Sequence, residues 1–270
     1  MYLEGRTLSI DKIFKWSYYI LYSFKLYLQL FHNIKRLRMI GFNFETLSLN
    51  ISSFVLLNIS HLVYFIYYKK TFDIFDYIFA IHSLFLNLLF LYQCYKDKKY
   101  KTHKVLSWNS KGIISFSLLS PCVFLLLENI HAYRVKQNTF NSSVYLLFDF
   151  FIIYAISNVF QIIQNKRLKS FYSSKTLILI VELMSNIILI LSFGYSLHKI
   201  MIINENPFAV SQYKYNRVID ISLYIFGILS YCGASITNII LLIQYMILYK
   251  NYTVDTGNAF YLYYLEQPLE

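Results

Sequence analysis

The sequence predicts an all-α membrane protein whose seven transmembrane helices form two parallel triple-helix bundles around a connecting helix (3+1+3). Three observations predict it. Of 270 residues, 57% are hydrophobic and only 14% charged, with a mean hydropathy of +0.46, which is more apolar surface than a soluble domain of this length can bury. Seven apolar runs each approach the roughly 20 residues needed to cross a bilayer. A polar pattern also occurs twice. Gln29 and Asn33, four apart and therefore on one helix face, return as Gln161 and Asn165, both 132 residues later. Internal repeats of this kind are the sequence signature of many membrane transporters.

The expected spans are 13–32, 43–68, 73–95, 113–131, 142–164, 176–198 and 218–249. Helices are required because an open sheet cannot satisfy its backbone in lipid. The links 33–42, 96–112 and 165–175 are richer in Lys and Arg than 69–75, 131–141 and 198–217. The excess puts the first set in the cytosol, with the N-terminus lumenal and the C-terminus cytosolic. In this orientation the sequon Asn141-Ser142-Ser143 is lumenal and is an acceptor for glycosylation if it stands clear of the membrane. The opening MYLEGRTLSIDK has no apolar run, so the first span is expected to direct insertion itself.

The repeat divides the chain into a first bundle (1–106), a connecting helix (107–135), a second bundle (136–250) and a cytosolic tail (251–270). An odd connector makes the two bundles parallel. Basic runs, Lys35-Arg36-Leu37-Arg38 and Lys166-Arg167-Leu168-Lys169, follow the two anchor pairs. Asn50 and Glu182 stand equally far beyond them, and Gln93 with Asn87 corresponds to Gln244 with Asn238. The net charge of +11 is accounted for by the basic links, which sets nucleic-acid binding aside. Cys94, Cys122 and Cys232 have no metal-ligand spacing and read as packing residues.

Glu182 carries the most chemistry. A carboxylate at a helix centre costs roughly 2.5–3.5 kcal/mol on insertion scales, and no basic residue lies near it in its own helix, so it reads as a proton carrier or a hydrogen-bonded packing group. Asp76 opens a small and polar face continued by Ala80, Ser83 and Asn87, which suits a cavity or a neighbouring helix, and Asp76 itself also reads as a solvated helix cap. Glu45 fits a substrate contact or a first-turn acid complementing the helix dipole. Asn50 fits a substrate contact or an interhelical bond, and Asn158 and Asn238 are further candidates for substrate contact. The spacing of Ser230 and Ala234 is explained by close helix packing. Gln29 and Gln161 are expected to bond across the bundle or to backbone freed at a bend, His82 to be packed, and Pro121 to bend the fourth helix.

The segment NIKRLRMIGFNFETLSLN (33–50) resembles the first PQ-loop of the cystinosins, seven-helix members of the PQ-loop transporters, at Asn33, Ile40, Gly41, Phe44, Glu45, Leu49 and Asn50. The third helix is similar at Asp76, Phe79, His82, Leu86, Leu88, Gln93 and Cys94, and the last helix at Ile243, Gln244, Leu248 and Tyr249. Trp16 and Tyr22 also match family aromatic positions. The prolines of both Pro-Gln pairs are replaced by Leu28 and Phe160, the helix-7 aspartate is Asn238, and a lysine before the second pair is Ser157. The tail lacks the family's lysosomal sorting motif.

The resemblance implies a transporter that is not an enzyme and needs no cofactor or metal. It would carry cystine or a related small amino acid together with protons out of an acidic organelle, lysosomal, vacuolar or otherwise endomembrane. Glu182 and Asp76 would couple protons; Glu45, Asn50, Asn158 and Asn238 would contact substrate. The competing readings are a seven-helix receptor, of signalling or retrieval type, and a PQ-loop carrier of another solute such as cationic amino acids or sugar. The signalling receptor lacks support, since the third helix ends in QCYKDKK and Asn206-Pro207 lies in a link. An intramembrane aspartyl protease lacks its paired aspartate motifs.

Overall fold

The computed structural model describes residues 10–36, 44–68, 74–96, 106–135, 142–168, 176–202 and 210–248, and these are helical almost throughout. The helices are α1 (Ile10–Arg36), α2 (Phe44–Tyr68), α3 (Ile74–Lys96), α4 (Trp108–Val135), α5 (Ser142–Leu168), α6 (Thr176–Ile202) and α7 (Val210–Ile243). A single π turn, Gln244–Leu248, continues α7. Among the described residues there is no strand.

Six helices, α2 to α7, are long and apolar enough to cross a membrane. The exception is α1, which the sequence reading counted as a seventh span. Its inward stripe is polar, with Lys15, Tyr18, Tyr22, Lys25 and Gln29, and this lowers its average hydropathy. Its outward stripe, Ile13, Trp16, Ile20, Phe24, Tyr27, Phe31 and Ile34, is aromatic and aliphatic and exposed. The same inversion runs through the molecule: large apolar side chains such as Phe65, Leu119, Leu229 and Ile247 are exposed, while Lys25, Glu128, Glu182 and Asn186 are buried. Such a surface is stable where the solvent is hydrocarbon.

Helix α1 packs on α6 and α3, α2 on α5, α3 and α4, and α7 on α5 and α6, while α4 also packs on α5. Exchanging α1, α2 and α3 for α5, α6 and α7 carries each of the pairs α1–α6, α1–α3 and α2–α3 onto another packed pair. Small residues let these helices approach. Ser60 on α2 donates to the Ser143 carbonyl on α5 at 2.8 Å, and Ser230 on α7 donates to the Phe151 carbonyl at 2.6 Å. Ala234, one turn beyond Ser230, is buried. Asn141 lies outside the described residues. Because α5 begins at Ser142 and Ser143 is buried, the sequon abuts the apolar span.

Helix α4 continues through Pro121. Proline leaves the carbonyl four residues back without its amide partner. The Ser120 hydroxyl donates to that carbonyl, on Ser117, at 3.2 Å, so the helix keeps its hydrogen bonding in lipid.

The core is aromatic. Phe54 on α2 meets Tyr22 of α1, Phe79 of α3 and Phe150 of α5, with ring centroids 5.6, 6.4 and 5.9 Å away. Tyr231 on α7 meets Tyr18, Phe151, Tyr154 and Phe193 at 5.2–6.0 Å, within the range in which tilted and edge-to-face pairs attract. Gly227 permits the close α6–α7 approach: a Cβ there would lie 2.6 Å from Phe193 Cε2. The Phe193 ring is held by Phe151 and Tyr224, so it has little room to yield. Gly227→Leu is expected to destabilise the protein by about 1–3 kcal/mol, the usual effect of overpacking; an unchanged melting temperature in detergent would show that the ring moves freely.

Candidate functional site

Four helices converge on one buried polar cluster. Its centre is an ion pair between Lys25 on α1 and Glu182 on α6, with Nζ 2.8 Å from Oε1 and side chains only 7% and 10% exposed. Lys25 falls on the inward stripe of α1 because Tyr18, Tyr22, Lys25 and Gln29 recur at helical spacing. Its ammonium also lies 4.6 Å from the centroid of the Tyr22 ring, a cation–π contact that gains from exclusion of water.

Asn158 on α5 links this pair to α7. Its amide nitrogen is 3.4 Å from Glu182 Oε1 and 3.2 Å from Asn238 Oδ1. One turn along α6 from Glu182, Asn186 accepts from the Tyr154 hydroxyl at 3.2 Å. The amide nitrogens of Asn186 and Asn238 are buried without a hydrogen-bond partner among the described residues, as is Asn50 Oδ1. Unmatched polar atoms in low dielectric are costly; Asn186 stands one turn from Glu182, and Asn238 is joined to it through Asn158. The cluster thus presents both signs of charge and two unmatched amide donors.

The partner of Glu182 was not anticipated from the sequence, because it comes from another helix. A signal existed: the repeat offset carries Lys25 onto Ser157 and Asn50 onto Glu182. Lys25 thus stands in the first repeat at the place that corresponds to Ser157, opposite the acid of the second. Across the other seam, Thr46, one turn before Asn50, donates to the Ser157 carbonyl at 3.0 Å.

The remaining candidates lie elsewhere. Asp76, in the first turn of α3, pairs with Lys15 of α1 at 2.9 Å and accepts from the Tyr19 hydroxyl. Lys15 and Lys25 are ten residues apart on α1, so Asp76 sits about 15 Å along that helix from the central pair, while Ala80, Ser83 and Asn87 of its stripe are buried. Glu45 is drawn to α4, where it accepts from the Ser107 amide at 2.7 Å and the Ser110 hydroxyl at 3.1 Å. It thereby ties the start of α2 to the N-cap of α4.

Gln29 and Gln161 are both buried. The side chains of Asn33 and Asn165 lie outside the described residues. Gln244 donates to the Ile162 carbonyl at 3.3 Å from the π turn. His82 lies on α3 with its ring nitrogens 2.8 Å from the Tyr27 hydroxyl and 3.4 Å from the Ser23 hydroxyl of α1. Cys94 is buried, Cys122 exposed and Cys232 half-buried, all as free thiols. Two buried acids escaped the sequence reading altogether. Glu128 on α4 accepts from Ser142 at the start of α5, and Asp149 lies on α5 facing α4.

Compared with known protein families and with characterised proteins, the chain matches none of the family models and no curated protein.

Proposed function

We propose that the chain is a cystinosin-like secondary transporter that exports cystine or a related small amino acid, with protons, from an acidic organelle to the cytosol by alternating access. In this reading α1 is the seventh span, the two triple-helix bundles are parallel, the N-terminus is lumenal and the C-terminus cytosolic. The observation that carries it is the buried Lys25–Glu182 pair, joined by Asn158 to Asn238. An isolated pair in lipid is an expensive way to hold two helices together, and ionisable groups inside a membrane are rare outside transport and signalling pathways.

The chemistry follows from the pair. An amino acid offers an ammonium and a carboxylate, so its ammonium can take the place of Lys25 on Glu182 while its carboxylate takes the freed Lys25. The amide nitrogens of Asn186 and Asn238 supply donors for the rest of the solute. A proton arriving on Glu182 removes the charge that holds Lys25, loosening the α1–α6 seam so that the two halves can rock apart. The exchange of packed pairs between the halves supports two bundles moving about one site.

Radiolabelled cystine uptake into proteoliposomes under an imposed proton gradient tests the reading. Gradient-driven uptake is expected, and Glu182→Gln is expected to abolish it. Because that variant leaves Lys25 buried without its counter-charge, the doubly neutral Lys25→Gln/Glu182→Gln protein is measured beside it to separate loss of coupling from loss of fold. Absence of uptake by folded protein would sink the cystine assignment, and a panel of other amino acids and sugars would follow.

A further inference from the structure

Two contacts between the halves are equivalent by the repeat yet differ in chemistry. Exchanging the halves carries the α1–α6 contact onto the α2–α5 contact, and the repeat offset carries Lys25 and Glu182 onto Ser157 and Asn50. Where α1 meets α6 through an ion pair, α5 and α2 therefore have a hydroxyl and an amide. These two helices are joined at other levels. Thr46 donates to the Ser157 carbonyl at 3.0 Å and Ser60 to the Ser143 carbonyl at 2.8 Å, and between them the rings of Phe54 and Phe150 lie 5.9 Å apart. The two bonds are fourteen residues apart on either helix, about 21 Å along the seam. All four residues are buried, so water does not compete for them. Each helix of the charged seam is in turn tied into its own half: α1 to α3 through Lys15 and Tyr19 on Asp76, and α6 to α5 through Tyr154 on Asn186.

We propose that α2–α5 is the fixed seam about which the two halves turn and that α1–α6 is the seam that parts. This rests on reading the chain as a transporter whose halves rock, and it adds which of two equivalent contacts moves. A buried ion pair repays its desolvation only while both charges are present and in place, so neutralising or displacing either one undoes it. A serine or threonine hydroxyl on a main-chain carbonyl has no charge to lose, and parting the seam would strand a buried hydroxyl at each end of it. Tyr18 of α1 and Tyr231 of α7 also meet between the halves, with ring centroids 6.0 Å apart. That contact is at a single level, whereas the α2–α5 bonds hold both ends of their seam.

Distances between spin labels on the full chain in nanodiscs test this, with the free cysteines Cys94, Cys122 and Cys232 replaced by alanine. One label pair spans α1 and α6 at the exposed Ile20 and Leu191, the other α2 and α5 at the exposed Leu62 and Ile152. Glu182→Gln, which removes the charge that holds Lys25, is expected to shift the α1–α6 distance distribution and to leave the α2–α5 distribution as it is. A shift at α2–α5 as large as that at α1–α6, or none at α1–α6, would overturn the proposal. A second variant keeps both charges and decides the matter if Glu182→Gln fails to fold. In Ser60→Cys/Ser143→Cys the thiols replace hydroxyls 3.3 Å apart, near enough to form a disulfide. With that disulfide made before labelling, the α1–α6 distribution should match that of the protein with serines, and cystine uptake should persist. A narrowed α1–α6 distribution, or a block of uptake that reduction relieves, would show that α2–α5 has to move and overturn the proposal. Label distances as expected in a protein that takes up no cystine would refute the substrate and support the fixed seam.

Discussion

Replacing Lys25 by methionine is expected to destabilise the protein by about 3–5 kcal/mol, the usual consequence of removing one member of a buried ion pair. The loss arises less from the missing attraction than from Glu182, which would remain in a low-dielectric interior without a counter-charge, beside the amide of Asn158. Removing both charges should therefore be milder than removing one. In Lys25→Met/Glu182→Met the two apolar side chains occupy similar volume between α1 and α6, and most of the single-variant loss should be recovered. Unfolding in mixed micelles across the double-mutant cycle measures the coupling directly. If the double variant is as unstable as the sum of the singles, the two charges do not act as a pair, and the exchange of Lys25 for a substrate ammonium loses its basis.

The second large effect is expected at Phe54. This ring is fully buried and stands between Tyr22, Phe79 and Phe150 on three different helices. Truncation to alanine leaves a cavity whose walls are rings already held by one another: Phe79 also contacts Tyr18 and stacks on Tyr19, and Phe150 stacks on Tyr154. The cavity can shrink little, so Phe54→Ala should cost about 3–5 kcal/mol, as Phe→Ala does in rigid cores. Phe54→Leu, which keeps most of the volume, should cost much less. A small loss in Phe54→Ala, read as a melting temperature close to that of the parent protein, would mean that the helices close over the gap.

The two results bear on different parts of the molecule. Phe54 joins α2 to α1 and α3 within the first three helices and to α5 across the α2–α5 contact, whereas Lys25 and Glu182 meet across the α1–α6 contact.

Helix number and approximate boundaries were legible in the sequence because both follow from local properties, apolar run length and backbone hydrogen bonding in lipid. The π turn and the early start of α7 at Val210 were not. Glu182 and Asn238 were legible as candidates, since polar groups stand out against an apolar run. Their partners were not. Lys25 comes from a helix more than 150 residues away in sequence, and Asn158 reaches both α6 and α7 only through packing.

Glu45 and Asp76 show the reverse case. Both had the residue type of a site and also read as first-turn acids, and the fold ties each to a neighbouring helix, Glu45 to the N-cap of α4 and Asp76 to Lys15 and Tyr19. By itself the sequence determined that helices form and that they face lipid, because solvent and backbone impose those choices residue by residue. Only the tertiary structure decided which charges meet. The energy of a charge in low dielectric depends on a partner within a few ångströms, and no spacing along one chain specifies which helix will bring it.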